Sequence, residues 1–274
     1  MIYINKPTQF KRVIVPTPSY VTNQYYSQQH IKLFDHVAEA AISEIVVAQE
    51  QFPEKIYFTR QAFKKAVSSE VGEEILIDLF SRNGFEIIAP EKHDLKTQIA
   101  YIRNAKVVAG IAGSIPHNML FAKPGQKIII INKACIVNMM QMDINFMRNL
   151  NVDYIDAYAG MIPVRLGHGP FLFTETKELK QYCIDNNLDE IDARYRSQKY
   201  NKKVINQYTN LIYRAPPYKS LSTQNKNSVH YYNPAISLQF LNKFYKNICY
   251  YPWWLRFKNI IGRVLRKIKR MIKR

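Results

Sequence analysis

The sequence is poor in cysteine, which limits both disulfide and metal chemistry. Its 274 residues include 3 cysteines, Cys135, Cys183 and Cys249, and these show no metal-ligand spacing. An odd and sparse set excludes a disulfide framework and favours a reducing compartment. The 6 histidines are similarly scattered. Asp153 and Asp156 do not form an Asp-x-Asp motif either, so we expect no metal ion.

Long apolar runs are also missing. No stretch reaches the roughly 18 apolar residues that a membrane-spanning helix needs. The opening letters, MIYINKPTQFKR, lack the apolar centre of a secretory signal peptide, so we expect a cytoplasmic protein. With 47% hydrophobic and 22% charged residues, the chain is globular rather than disordered. Its length suits one large domain or two small ones.

The most informative stretch is residues 106–131, KVVAGIAGSIPHNMLFAKPGQKIIII. It predicts a strand, a glycine turn at Gly113, a short helix capped by Ser114, and a second strand that is buried. Such a turn brings free backbone N–H groups and the positive end of a helix to the rim of a sheet, where a phosphate or diphosphate can bind. The alternative is an ordinary strand–helix–strand connection whose polar residues lie in a wet turn.

A second stretch, upstream, favours the anion site. Residues 55–59, KIYFT, alternate like a strand and lead to Arg60, with Lys65 a few positions on. A helix is predicted to open at Glu70, and the strand and helix patterns that follow indicate an α/β fold. In an open α/β sheet, ligands bind beyond the carboxyl ends of the strands, so Arg60 and Gly113 are predicted to converge on one anion. The planar arginine fork suits phosphate oxygens.

Three segments together resemble glycosyltransferase family 61, which contains many bacterial capsule and lipopolysaccharide enzymes. They are YFTRQAFKKAVSSE, NGFEIIAPE and LKTQIAYIRNAKVVAGIAGSIPHNMLFAKPG, and the resemblance covers about residues 53–135. The chain departs from the family pattern at Lys65, Ser69 and Ala112, where relatives often have Arg, Asn and His. The matching positions are Arg60, Lys65, Glu70, Gly84, Phe85, Pro90, Glu91, Gln98, Gly110, Gly113, Ser114, His117, Asn118, Phe121, Pro124 and Gly125.

The resemblance implies a Rossmann-like parallel sheet, similar to the C-terminal, nucleotide-binding lobe of a GT-B glycosyltransferase. A short strand and helix region over 1–52, either a reduced acceptor side or a linker, precedes the predicted nucleotide-sugar-binding lobe over 53–175. A helical or irregular wrap rich in Tyr, Asn and Lys follows over 176–251, and a basic amphipathic helix over 252–274. The first GT-B lobe is therefore missing, supplied by a partner chain, or replaced by the C-terminal region.

The resemblance also implies an activity. A sugar is transferred from a nucleotide-sugar donor, expected to be UDP-linked, to a hydroxyl of a glycan or lipid-linked glycan acceptor. The transfer inverts the anomeric centre and uses no metal or other cofactor, and the expected role is in bacterial capsular or lipopolysaccharide biosynthesis. The alternative is a non-catalytic or truncated donor lobe that acts only with a partner chain supplying the acceptor lobe.

The predicted binding residues fall in the matching segments, and some have a second interpretation. His117 either binds the donor or fixes its turn through a backbone hydrogen bond, and Lys65 is either a phosphate contact or a solvated lysine. The catalytic base is unassigned, with His168 in RLGHGP as a weak candidate. The predicted phosphate-binding residues are Arg60, Lys65, Gly113, Ser114, His117 and Asn118. The predicted nucleotide contacts are Glu91 and Gln98, of which Gln98 is equally a helix-packing amide.

The segment 253–274, WWLRFKNIIGRVLRKIKRMIKR, places apolar residues at helical spacing on one side. The other side carries nine Lys or Arg and no acid, which is half of the +18 net charge. This pattern favours a helix lying on an anionic membrane surface, peripheral on the inner face of the cell membrane. A helix packed on the sheet and a nucleic-acid-binding tail are the alternatives. Because the charge is concentrated in this segment rather than on a sheet face with interleaved aromatic residues, we expect no nucleic-acid partner. The predicted membrane-binding residues are Trp253, Trp254, Arg256, Lys258, Arg263, Arg266, Lys267, Lys269, Arg270, Lys273 and Arg274.

Overall fold

A computed structural model describes residues 5–14, 16–43, 45, 52–62, 70–134, 137–159 and 169–214. Three predictions therefore lie outside the described residues: the phosphate contact of Lys65, the candidate base His168, and the basic amphipathic helix over 252–274. The second half of the predicted wrap, from 215 onward, lies outside them as well.

The described chain contains nine strands and seven α-helices in an alternating order. The strands are β1 (Tyr20–Val21), β2 (Tyr25–Tyr26), β3 (Lys55–Phe58), β4 (Glu70–Val71), β5 (Glu86–Ile88), β6 (Val107–Ile111), β7 (Lys127–Asn132), β8 (Asn151–Asp156) and β9 (Phe171–Leu172). The helices are α1 (Gln28–Ser43), α2 (Glu74–Arg82), α3 (Leu95–Asn104), α4 (Ser114–His117), α5 (Met139–Met147), α6 (Lys177–Asp185) and α7 (Gln198–Arg214). Short 3-10 turns cover Pro90–Lys92, Asn118–Phe121 and Ala193–Arg196.

Five parallel strands form the central sheet in the order β5-β3-β6-β7-β8. The predicted α/β fold with a parallel sheet is therefore confirmed, and the sheet is compatible with a Rossmann-like fold. The chain runs from β3 to β5 at one edge and then crosses back to β6 on the other side of β3. The connections after β3 and β6 consequently diverge, and such a switch point opens a crevice at the carboxyl ends of the two strands.

Both faces of the sheet are buried, which explains why its strands read as continuous apolar runs. On one face, Tyr57, Ile129 and Ile155 pack in one cluster with residues of α2 and α6, among them Leu76 and Leu179. On the other face, a second cluster joins alternate strand residues to α3 and α5; its members include Ile56, Phe58, Val108, Ile128, Ile130, Ile102, Ile144 and Met147. Helix α1 adds an outer layer over α3 through Ala38, Ala41 and Ile99.

An ion pair network joins α1 to the sheet-covering helices. The side chain of Arg148 is only 1% exposed, and its Nη1 lies 2.8 Å from Oδ1 of Asp35. The same carboxylate oxygen accepts a hydrogen bond from Nη2 of Arg103 at 2.6 Å. Asp35 therefore neutralises a buried guanidinium that would otherwise be strongly destabilising.

Two local predictions need correction. Glu70 does not open a helix: it lies in β4, which pairs in parallel with β9, and α2 begins only at Glu74. Between them Gly72 turns the chain at φ +85, and a Cβ there would lie 2.6 Å from the carbonyl oxygen of Phe173. Helix α4 is a single turn in which Ser114 is the first residue rather than the cap. The positive helix end predicted at this point is consequently weak, because a macrodipole needs several aligned peptide units.

The described part of the predicted wrap contains α6 and α7, joined by an irregular stretch and a 3-10 turn, and both helices pack against the sheet strands. Helix α6 covers the first face of the sheet through Leu179. Helix α7 packs Val204 and Tyr208 against Val71 of β4 and Leu172 of β9. Among the described residues, no helix combines the length and apolarity needed to cross a membrane.

Candidate functional site

A cleft lies at the switch point between β3 and β6, as the topology requires. Its volume is about 260 Å³, slightly below the roughly 300–1,000 Å³ typical of ligand pockets. Five of the predicted site residues line it, together with three that were not predicted. The lining residues are Thr59, Arg60, Pro90, Glu91, Gln98, Ser114, Ile115 and Asn118.

Arg60 is held at the end of β3 by an ion pair. Its Nε lies 3.1 Å from Oε1 of Glu70, and the two side chains are only 11% and 4% exposed. The same carboxylate oxygen lies 3.4 Å from Nζ of Lys133, a lysine directly after β7 whose side chain is 3% exposed. One buried carboxylate thus holds two cations at the ends of two strands.

A second buried carboxyl, Glu73, fixes the backbone that presents Arg60. Its Oε1 accepts hydrogen bonds from the hydroxyl of Thr59 at 2.9 Å and from the backbone N–H of Arg60 at 2.8 Å. The hydroxyl of Tyr57 donates to the same oxygen at 3.2 Å, whereas Oε2 has no hydrogen-bond partner among the described residues. Burial raises the pKa of Glu73 to about 7, so this carboxyl keeps its proton over much of the acidic range.

Gly113 lies between the two cations of the site. A Cβ added to it would be 3.4 Å from Nζ of Lys133 and 3.9 Å from Nη1 of Arg60. Its φ of +150 belongs to the region that favours glycine. The glycine therefore allows the turn after β6 to approach the Arg60 side chain closely.

The opposite wall of the cleft depends on Gln98. Its Nε2 donates to the carbonyl oxygens of Pro90 at 2.9 Å and of His93 at 3.0 Å, while its Oε1 accepts from Nδ2 of Asn118 at 3.3 Å. Because both amide hydrogens are used within the protein, a direct contact to a ligand can come only from Oε1. Gln98 thus stabilises this wall of the cleft as well as lining it.

His117 is hydrogen-bonded to Asn138, at the start of α5. Its Nε2 lies 3.1 Å from Nδ2 of Asn138, and Asn138 caps α5 by accepting from the backbone N–H of Met140 at 2.9 Å. An amide nitrogen can only donate, so Nε2 accepts and the neutral ring carries its proton on Nδ1. Burial lowers the pKa of His117, which keeps the ring neutral near pH 7. His117 is not among the residues that line the cleft in the described chain.

Sequence reasoning missed Lys133 and Glu73. Lys133 follows the isoleucine run of β7 directly, so its place at a strand end was the available signal. Glu73 had no such signal, because its partners come from a different strand and are joined to it only by the fold.

No group of three or more His, Cys, Asp or Glu residues in the described chain is arranged to hold a metal ion.

Residues 2–129 match the model of the family described as Glycosyltransferase 61. The match begins well upstream of the resemblance read from the sequence, so it also includes β1, β2 and α1. It ends inside β7, and Lys133 therefore lies beyond it. A comparison with curated proteins finds no match. The family match over residues 2–129, which is just under half of the chain, together with the Arg60 and Gly113 segments that meet at one cleft, supports a sugar-transferring enzyme similar to glycosyltransferase family 61.

Proposed function

We propose that this chain transfers a sugar from a nucleotide-sugar donor to a hydroxyl acceptor, with inversion and without a metal, and that its cleft holds the diphosphate of the donor. The observation that carries the proposal is the convergence of Arg60 with the turn from Gly113 to Asn118 at the switch point of the sheet. Crevices at such points are the usual ligand sites of open parallel sheets. Arg60 is the side chain best suited to bind phosphate there.

The chemistry assigns distinct tasks to the site. The acceptor oxygen forms a bond to the anomeric carbon while the bond from that carbon to the diphosphate oxygen breaks. The electron pair of the broken bond stays on the diphosphate, and the hydroxyl proton passes to a base. Negative charge therefore grows on the leaving group, where preorganised donors stabilise it. Arg60 supplies charge, and the hydroxyl of Ser114 and the amide of Asn118 supply neutral hydrogen bonds from the lining of the cleft. His168 is the candidate base.

The proposed donor is UDP-linked, and the proposed acceptor is a glycan or lipid-linked glycan of a bacterial capsule or lipopolysaccharide. We propose that residues 253–274 hold the enzyme on the inner face of the cell membrane, as their basic and apolar sides suggest. Sedimentation of the full chain with vesicles tests this part. Binding to anionic but not zwitterionic vesicles supports it, provided that replacing the nine basic residues with glutamine abolishes binding. Equal binding by the replaced chain would contradict it.

The donor site is tested by calorimetric titration of the full chain with UDP, GDP and CMP. We expect one nucleotide to bind, and Arg60→Ala to weaken binding at least about tenfold because a charged hydrogen-bond donor is lost. Arg194→Ala is the matched control, since Arg194 is a surface arginine that is 59% exposed and pairs with Asp78 away from the cleft. A well-folded chain that binds none of the three nucleotides would contradict the proposal.

The alternative function is that of a donor lobe that needs a partner chain for the acceptor side. Hydrolysis or transfer assays with the nucleotide sugar that binds distinguish the two. Turnover by the chain alone supports a full enzyme. Nucleotide binding with turnover only after a second chain is added supports the partner-dependent lobe.

A further inference from the structure

Arg60 and Lys133 lie on the side of Gly113 that a side chain would otherwise occupy. We call the space between these two cations and Gly113 the cradle. Within 4 Å of the point where a Cβ would stand, the described residues place two atoms, Nζ of Lys133 at 3.4 Å and Nη1 of Arg60 at 3.9 Å. Both are cationic nitrogens, and they come from the ends of two different strands. The two cations therefore lie on the same side of Gly113.

Buried partners hold both cations of the cradle in place. Oε1 of Glu70 lies 3.1 Å from Arg60 and 3.4 Å from Lys133. Nζ of Lys133 also lies 4.4 Å from the ring centroid of Phe171, and Phe171 is the strand partner of Glu70 in the β4–β9 pair. A lysine fixed in this way loses little conformational freedom when it binds an anion.

The charge balance of the cluster suits a phosphate ligand. One carboxylate, that of Glu70, is shared between the two cations, in a site with little access to water. A buried ammonium interacts with an anion more strongly than an exposed one does, because the local dielectric is lower. Burial lowers the pKa of Lys133, and the neighbouring Glu70 carboxylate partly offsets this effect. A bound phosphate would favour the charged form of the lysine further.

We propose that Lys133 is a second binding residue for the donor diphosphate, and that Arg60 and Lys133 hold one phosphate group between them over Gly113. This inference rests on the proposed donor-binding function. It assigns a ligand contact to a residue outside the matched region 2–129, and it gives Gly113 a role that its turn geometry alone does not explain. Lys133 thus adds a second phosphate-binding side chain to the proposed donor site, and with it a preference for a diphosphate over a monophosphate.

The test is calorimetry on the full chain with UDP, UMP and inorganic diphosphate. Lys133→Met keeps an unbranched apolar side chain and removes the charge, whereas Lys133→Arg keeps the charge. We expect Lys133→Met to weaken UDP and diphosphate binding about tenfold or more while UMP binding changes much less. Lys133→Arg should keep most of the affinity for UDP. A uniform loss for all three ligands would indicate a structural role only and would overturn the inference.

Gly113→Ala supplies an independent test should Lys133→Met fold poorly. The added methyl group occupies the cradle itself, so we expect UDP binding to fall at least about tenfold. Gly125→Ala is the matched control, because Gly125 also has a positive φ, +76, but a Cβ there meets nothing within 4 Å. If wild type binds UDP and Arg60→Ala does not, while Gly113→Ala and Lys133→Met bind as wild type does, the donor site stands and this inference fails. If wild type binds no nucleotide, the proposed function itself fails.

Discussion

The carboxyl of Glu73 accepts a hydrogen bond from the backbone N–H of Arg60 at 2.8 Å. Glu73 is only 1% exposed, and it thereby fixes the second residue beyond β3, which lines the cleft. The neighbouring hydroxyls of Tyr57 and Thr59 donate to the same oxygen, so one carboxyl organises the whole end of the strand. Its protonation state is therefore coupled to both folding and the geometry of the site.

Glu73 should make the protein less stable as the pH rises. Its pKa is about 7 in the folded chain against an ordinary value of 4.5, so between these values the folded state binds more protons than the unfolded state. The free energy of unfolding then decreases from pH 4.5 to about pH 7, by at most about 3 kcal/mol. Glu73→Gln should remove this dependence, as measured by urea denaturation across that range. Glu74→Gln, one residue along on α2, is the control, and an unchanged pH dependence in Glu73→Gln would contradict the assignment.

Asp35→Asn should destabilise the fold by roughly 2–3 kcal/mol, because it leaves the charge of Arg148 buried without its carboxylate. The value lies below the roughly 3–5 kcal/mol found for fully buried pairs, since the side chain of Asp35 is 34% exposed. Thermal unfolding followed by circular dichroism measures the effect. Glu39→Gln, on an exposed position of the same helix, should change the unfolding temperature little. Equal unfolding temperatures for the two variants would show that Asp35 does not compensate Arg148.

Gln98→Ala should loosen the wall of the cleft that contains Pro90. The change leaves the carbonyl oxygens of Pro90 and His93 without their side-chain donor, at a cost of about 1–2 kcal/mol. Nucleotide affinity should fall several-fold through misplacement of the wall, with stability measured in parallel. Gln181→Ala is the comparison, because Gln181 bonds only to Asp185 of its own helix among the described residues. If Gln98→Ala keeps the nucleotide affinity of the wild type, the wall does not depend on the hydrogen bonds of Gln98.

His117 should titrate below its ordinary pKa of 6.5, because burial disfavours the charged ring. Nitrogen NMR at neutral pH should show a proton on Nδ1 and none on Nε2, which accepts from Asn138. In the window below pH 6.5 the unfolded state binds more protons than the folded state, so this residue contributes a loss of stability on acidification. Asn138→Ala should move the Nε2 resonance. A ring protonated on Nε2 at neutral pH would rule out the assigned hydrogen bond.

The sheet and the meeting of its two main loops could be predicted from the sequence. Residues 128–131 are four successive isoleucines, and a run of this kind is the pattern of a parallel strand buried on both faces. Because carboxyl ends of parallel strands meet at one edge, Arg60 and Gly113 could be predicted to lie together, and the structure brings them there. These inferences needed only chain order and hydrophobic pattern.

The parts that could not be predicted depend on partners distant in sequence. Glu70 reads as a helix start beside Glu73 and Glu74, yet the pairing with Phe171 makes it a strand. Helix α7 lies in a stretch rich in polar residues, whose weak periodicity does not predict a separate helix. Its apolar residues nevertheless fall on one helical face: Val204, Ile205, Tyr208 and Leu211. The side-chain hydrogen bond of His117 to Asn138 was not foreseen, because the capping role of Asn138 appears only once α5 is in place.

The course of β7 has a practical consequence for dividing the protein into fragments. The strand runs from Lys127 to Asn132 and pairs with β6 on one side and β8 on the other, while the family match stops at 129. A fragment cut at that boundary would end in mid-strand and leave β6 with an open edge. The smallest fragment that keeps every described partner extends through α7, and shorter pieces should be tested for aggregation before any loss of activity is attributed to chemistry.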